Sequence, residues 1–406
     1  MLTKAISTTS DAATSPPLPS SIDKRIISSL RSVLGEGVHS LHEPCFNGNE
    51  QNYLQDCLTS TFVSSVGAYV DRFEKELAAY TGVKRVVATV SGTAALQVAL
   101  KLARVQAGDE VLMPALTFIA TANAVHYLGA TPHFVDSEAQ TLGVNPSALR
   151  DWLGHIAEAS GDVYINRFTG RRLRALIAMH VFGHPCDLDG LLAVARDYRL
   201  TMVEDAAESL GSFYQGRHTG TFGKLGALSF NGNKIITTGG GGAILTNDDD
   251  FADHAKHLTT TAKLPHRWEY FHDEIGYNYR MPNLNAALGC AQMEQLPNFL
   301  DSKRRLTDRY QEAFSRLIDA GAVRLLREPT GCSSNYWLQA IILEEEHEHE
   351  RESILISTND AGMTTRPSWT LMHQLPPYQA CPHAPLPVAE SLARRIINLP
   401  SSAGLV

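Results

Sequence analysis

The chain has no run approaching the ~18 consecutive apolar residues that a membrane-spanning helix needs, which excludes such a helix and points to a soluble protein with no membrane partner. It also lacks paired cysteines. The 6 present, Cys45, Cys57, Cys186, Cys290, Cys332 and Cys381, are scattered without a CxxC, which excludes a disulfide framework and points to a reducing, cytoplasmic compartment. Positive charge is scarce. Lys+Arg 35 against Asp+Glu 43 gives a formal net charge of −8, which argues against nucleic acid or a polybasic membrane contact and leaves room only for a local anion site. The Gly-Lys-Ser/Thr ending of a Walker loop is missing as well.

What is there is ample for a core: 406 residues, 44% of them hydrophobic, allow one large or two ordinary domains. Residues 1–22 are rich in Ser, Thr, Ala and Pro and have no basic stretch leading into an apolar one, so they read as a disordered tail rather than a secretory signal. From Val86 onward, β-rich runs alternate with helical patterns: Val86–Val90, Glu110–Met113, Thr131–Val135, Ala175–His180, Thr201–Glu204, Leu225–Phe230 and Ala243–Thr246. Leu188, Leu191, Leu192 and Ala195 recur at helical spacing and predict a helix over Asp187–Tyr198. This alternation implies an α/β fold, a mainly parallel seven-stranded sheet covered by helices, with ligands gathered where loops leave the carboxyl ends of the strands.

Past Asn285 the texture changes. Leu306, Tyr310, Ala313 and Leu317 mark a long helix, and Ser334–Leu343 reads as a strand. A smaller C-terminal α/β domain, residues 297–406, is expected to follow a large domain of residues 23–296, with the boundary near Leu296–Pro297. The alternating Glu and His of Glu344–Glu350 read as a solvated surface loop rather than a metal site.

Three chemically unusual places fall at strand ends. Lys234 sits in Ser229-Phe230-Asn231-Gly232-Asn233-Lys234, ahead of a glycine-rich turn, where partial desolvation suits an amine that forms an imine with an aldehyde cofactor; taken alone, a solvated loop lysine is the favoured reading. Asp205 ends a β-run beside small residues, as an acid paired with a pyridinium nitrogen would, or as a helix cap would. Ser91-Gly92-Thr93 opens an apolar helix whose free N–H groups and positive dipole end suit a phosphate. A phosphate cradle, an acid for a ring nitrogen and an imine-forming lysine are what pyridoxal 5′-phosphate requires together, and their conjunction is far more specific than any one of them.

Around these residues the chain resembles the DegT/DnrJ/StrS sugar aminotransferases, fold-type I pyridoxal-phosphate enzymes. Within that family it is most similar to nucleotide-sugar 4-aminotransferases of bacillosamine and legionaminic acid biosynthesis. The resemblance runs from about Leu41 to Pro400 and is carried by Leu41-His42-Glu43-Pro44, Thr61–Gly67, Met179–Asp187, Ser229–Gly242 and Gly276-Tyr277-Asn278-Tyr279-Arg280. It implies Lys234 as the cofactor-bonding lysine, Asp205 as the pyridinium partner, and Gly92, Thr93 and Ser229 as phosphate ligands. It places Phe118 over the cofactor ring, and Glu208 where many members have Gln or His beside the cofactor's 3-hydroxyl; a carboxylate there needs its own proton.

The resemblance further implies a homodimer with shared active sites, Asn278 reaching the partner's cofactor phosphate and Lys263 and Arg280 lining the partner's substrate cleft. Arg366, His373 and Tyr378 match a substrate-proximal stretch, with surface ion pairing and packing as the alternative roles. Gly240 stands where many members have an acid; a lysine at 234, where sugar 3-dehydratases have histidine, implies transamination. The implied reaction moves an amino group from an amino acid, L-glutamate, to C4 of a nucleotide-linked 4-keto-6-deoxy sugar, a UDP-linked N-acetylhexosamine. Another pyridoxal-phosphate reaction on the same scaffold, or a non-catalytic regulatory role, are the alternatives.

Overall fold

The computed structural model describes residues 21–406. The expected tail therefore lies outside the described residues except for its last two, and Ile22 already belongs to a helix, Ile22–Leu34. Ile22, Ile26, Leu30 and Val33 form that helix's buried stripe. Their partners come from the far end of the chain: Leu306 and Tyr310 of a long helix, and Ile341, Leu343, Ile397 and Leu399 of C-terminal strands.

All seven expected strands are present, as Arg85–Thr89, Glu110–Pro114, Thr131–Val135, Arg172–Met179, Thr201–Asp205, Leu225–Ser229 and Gly242–Thr246. In space they follow the order first, seventh, sixth, fifth, fourth, second, third. The seventh runs antiparallel to both neighbours, and the other pairs are parallel. Helices cover both faces, so Glu110–Pro114 and Gly242–Thr246 are buried along their whole length. A hairpin of Ala157–Ser160 and Val163–Asn166 extends the sheet antiparallel to Arg172–Met179. Its first strand is mostly exposed and carries no apolar alternation, which is why the sequence pattern does not reveal it.

The predicted helix appears as Leu188–Asp197, with the Asp187 carboxylate capping it by accepting from the Gly190 N–H at 3.0 Å. The long helix spans Asn283–Ala313 and has Pro297 inside it, so the expected boundary at Leu296–Pro297 falls within a single continuous element. Its first half packs Ala286, Cys290 and Leu296 against Phe73 and Phe230, while its second half enters the C-terminal cluster with Leu306 and Tyr310.

The C-terminal sheet is antiparallel, in the order Val323–Leu325, Gln339–Leu343, Ile396–Leu399, Arg366–Pro367. Here the expected strand Ser334–Leu343 is corrected: only Gln339–Leu343 is a strand. The preceding N–H groups are claimed elsewhere, Asn335 by Ser212 Oγ at 2.9 Å, Tyr336 by Ser334 Oγ at 3.0 Å and Trp337 by Asn335 Oδ1 at 2.8 Å, leaving no ladder to join. Glu345–Glu350 forms a 3-10 turn in which His347 bonds Glu350 at 2.8 Å and Glu348 pairs with Arg394 at 2.6 Å. All six cysteines are free, and no helix among the described residues is long and apolar enough to cross a membrane.

Candidate active site

Three carboxyl-terminal strand ends and one helix start converge on a cavity of about 290 Å³. The helix Gly92–Leu102 begins there. Ser91 caps it, its Oγ accepting from Ala94 N–H at 3.1 Å and its carbonyl from Ala95 N–H at 3.0 Å, which leaves the Gly92 and Thr93 N–H groups open toward the cavity they line. Glycine is required at this crossing: a Cβ on Gly92 would stand 2.6 Å from Ser229 Cβ, and one on Gly242 would stand 2.4 Å from the Ser91 backbone. The close approach sets the Ser229 hydroxyl beside the helix start.

Asp205 ends the central strand, with its side chain turned to the cavity while its neighbour Glu204, on the opposite face, accepts from the Gly220, Phe222 and Gly223 N–H groups at 2.6–2.7 Å. The Asp205 carboxylate is held at both oxygens: Oδ2 accepts from Thr121 Oγ1 at 2.7 Å and Oδ1 from Ala207 N–H at 3.2 Å. Thr121 in turn shares a hydrogen bond of 2.9 Å with Thr117. No local pattern in the sequence marks this hydroxyl pair.

Lys234 forms another wall. Its side chain is 12% exposed, and its Nζ lies 3.4 Å from Glu208 Oε1 and 3.9 Å from the centre of the Trp337 indole. Glu208 is fully enclosed. Burial pushes its carboxyl up to about 7, against the pull of Lys234 and of the Phe182 N–H, which donates to Oε2 at 2.9 Å; Asp205 adds to the rise. Below about pH 7 this acid therefore carries the proton that its expected role demands.

Phe118, just ahead of the helix Ile119–His126, lines the cavity and is about half exposed, with its ring centre 6.4 Å from that of Trp369. Trp337 and Trp369, both from the C-terminal part of the chain, complete the lining. Neither was anticipated; Trp337 lay in a stretch read as a regular strand. Gly92, Thr93, Phe118, Asp205, Glu208, Ser229 and Lys234 are thus brought together.

The remaining expected residues do not line this cavity. Asn278 is exposed, its backbone bridged to Thr260. Lys263 sits 3.9 Å over the Tyr270 ring, and Arg280 bridges to Thr89. Arg366 is exposed and bonded to Asn359 Oδ1 at 3.0 Å, His373 faces Glu390 at 3.6 Å, and Tyr378 is buried with its hydroxyl given to Asn123. Each of those three side chains has a partner within the chain. A wider groove of about 770 Å³, lined by Lys84, Arg196, Lys224 and Asp249, lies at the other ends of the strands and holds none of the expected residues.

Open N–H groups and hydroxyls at a helix start, a doubly anchored carboxylate and a lysine amine around one enclosed space suit the phosphate, ring nitrogen and aldehyde of pyridoxal 5′-phosphate. With the sheet order above, they define a pyridoxal-phosphate-dependent aminotransferase of fold type I. The chain belongs to the DegT/DnrJ/EryC1/StrS aminotransferase family, whose model matches residues 44–406, and it is a sugar aminotransferase. It is 37% identical over 365 residues to the GDP-perosamine synthase of Escherichia coli O157:H7, covering 90% of this chain and 93% of that one. It is 36% identical over 368 residues to the GDP-perosamine synthase of Caulobacter vibrioides (strain ATCC 19089 / CIP 103742 / CB 15), covering 90% and 94%. In structure the chain is similar to a DegT DnrJ EryC1 StrS aminotransferase from Brucella abortus, with a TM-score of 0.79, 28% identity and coverage of 88% and 91%. These relatives support a nucleotide-sugar aminotransferase without singling out the bacillosamine and legionaminic acid subgroup.

Proposed function

We propose that the chain moves an amino group from L-glutamate to C4 of a nucleotide-linked 4-keto-6-deoxy sugar. The observation that carries this reading is the single cavity shared by Lys234, Asp205 and the Gly92–Thr93–Ser229 cradle. Similarity to a GDP-perosamine synthase, named for a GDP-linked sugar, favours a GDP-linked acceptor over the UDP-linked N-acetylhexosamine that the sequence resemblance implied.

When bound, pyridoxal phosphate supplies an electron sink for the carbon that loses its proton. The chain supplies the rest. Gly92 and Thr93 N–H groups and the Ser229 hydroxyl hold the phosphate, and Phe118 covers the ring. Asp205, fixed by Thr121 and Ala207, keeps a proton on the ring nitrogen. Glu208 donates its own proton toward the 3-hydroxyl. Lys234 Nζ would hold the cofactor's aldehyde carbon and, when free, would be the base for the α-proton of the amino acid.

A homodimer fits this reading. Asn278 is exposed in the single chain, and its segment also exposes Trp268, Tyr270, Phe271 and Ile275, an apolar surface suited to a second copy that would bring Asn278, Lys263 and Arg280 to the partner's site. The six free cysteines agree with a reducing, cytoplasmic setting. The deciding experiment offers glutamate with a panel of GDP-, UDP- and dTDP-linked 4-keto sugars and identifies products by mass and NMR. Amination of none of them, despite conversion of bound cofactor to its pyridoxamine form, would reject the sugar assignment.

A further inference from the structure

Lys303 is 0% exposed, on the buried side of the long helix. Burial pulls its amine down to about 7, and an ammonium so placed is costly unless each of its three donors is satisfied. Its Nζ donates to the Tyr336 carbonyl at 3.2 Å, the Trp337 carbonyl at 3.0 Å and the Ser401 carbonyl. Nearby His42 adds no second positive charge: burial, with Lys303 and Lys234, holds its imidazole well below the ordinary range.

The segment gripped in this way carries the indole under the Lys234 amine. Trp337 is fixed at two further points, its Nε1 donating to the Asn233 carbonyl at 2.6 Å and its N–H to Asn335 Oδ1 at 2.8 Å. Asn335 in turn donates to the carbonyls of Glu208 and Leu210 at 2.8 and 2.9 Å, tying the segment to the loop that bears Asp205 and Glu208. The face of the indole is thus locked in register with Lys234 Nζ, 3.9 Å away, in cation–π geometry.

We propose that Trp337 holds the Lys234 amine whenever that amine is not bonded to cofactor, and that Lys303 is the positioning residue that keeps Trp337 in place. This rests on Lys234 being the cofactor-bonding lysine. Borohydride reduction of the loaded protein, followed by mass spectrometry of the Lys234 peptide, tests that premise separately.

The proposal itself is tested by competitive acetylation of the full-length protein carrying the cofactor in its pyridoxamine form, with acetic anhydride as the probe and the exposed Lys75 as internal standard. Trp337→Ala should raise the labelling rate of Lys234 about fivefold, the equivalent of one lost cation–π contact, while Trp337→Phe, which keeps a ring, stays close to the parent. Lys303→Met should reproduce the Trp337→Ala rate, with no further rise in the double variant. In all three affected proteins kcat should fall with KM for the nucleotide sugar unchanged. If Lys303→Met does not fold, Lys303→Gln is held to the same criterion. Unchanged labelling in Trp337→Ala overturns the first half of the proposal, and effects that multiply in the double variant overturn the second.

Discussion

Glu208 offers the sharpest test of how burial governs this site. Its carboxyl is raised from the ordinary 4.5 to about 7, mainly by burial. Between those two values the folded chain holds one proton more than the unfolded chain, so stability falls as pH rises across that window, and the loss is complete above about 7. At about 1.4 kcal/mol per unit, the difference between pH 5 and pH 8 comes to roughly 2–3 kcal/mol. Glu208→Gln removes the titration, and the amide oxygen can still accept from the Phe182 N–H. Urea denaturation of the cofactor-free protein should therefore show the variant gaining roughly 2–3 kcal/mol on the parent as pH rises from 5 to 8. A gap between variant and parent that is the same at both pH values would refute the argument.

Other substitutions probe the remaining parts. Lys234→Ala should retain the fold, lose borohydride-stable attachment of the cofactor and form no amino sugar from glutamate, as read by mass spectrometry. Thr121→Val leaves Asp205 Oδ2 without its donor, and the half-reaction with glutamate should slow by roughly 10–100-fold, whereas Thr121→Ser should stay close to the parent in stopped-flow absorbance. Gly92→Ala would force a methyl group to within 2.6 Å of Ser229 Cβ, so the helix start must move off the strand end, and equilibrium dialysis should show cofactor affinity weakened by about tenfold or more.

The cofactor-facing residues were legible because each lies in a short local pattern at the end of a buried strand: Ser91-Gly92-Thr93, Asp205 and Lys234 each have their chemistry within a few neighbours. The seven strands were legible for a related reason. Strands covered on both faces must be apolar along their length, and that survives in a single sequence. What escaped depends on contacts distant in sequence. Trp337 and Trp369 reach the cavity only because the C-terminal part of the chain folds back over the sheet. Ser334–Leu338 has strand-like residues, yet its N–H groups are taken by Ser212, Ser334, Asn335 and Phe182, which no periodicity announces.

The helix Ile22–Leu34 sets a problem of timing for the ribosome. It is made well before the side chains that bury its apolar stripe, which belong to Leu306, Tyr310, Ile341, Leu343, Ile397 and Leu399. At roughly 5–20 residues per second, Ile26 and Leu30 wait some tens of seconds for their neighbours. Loop closure over so long a span is slow, so docking of this helix belongs among the last folding events. Until then its apolar stripe stays uncovered on the nascent chain, and a segment of 13 residues is only marginally helical on its own.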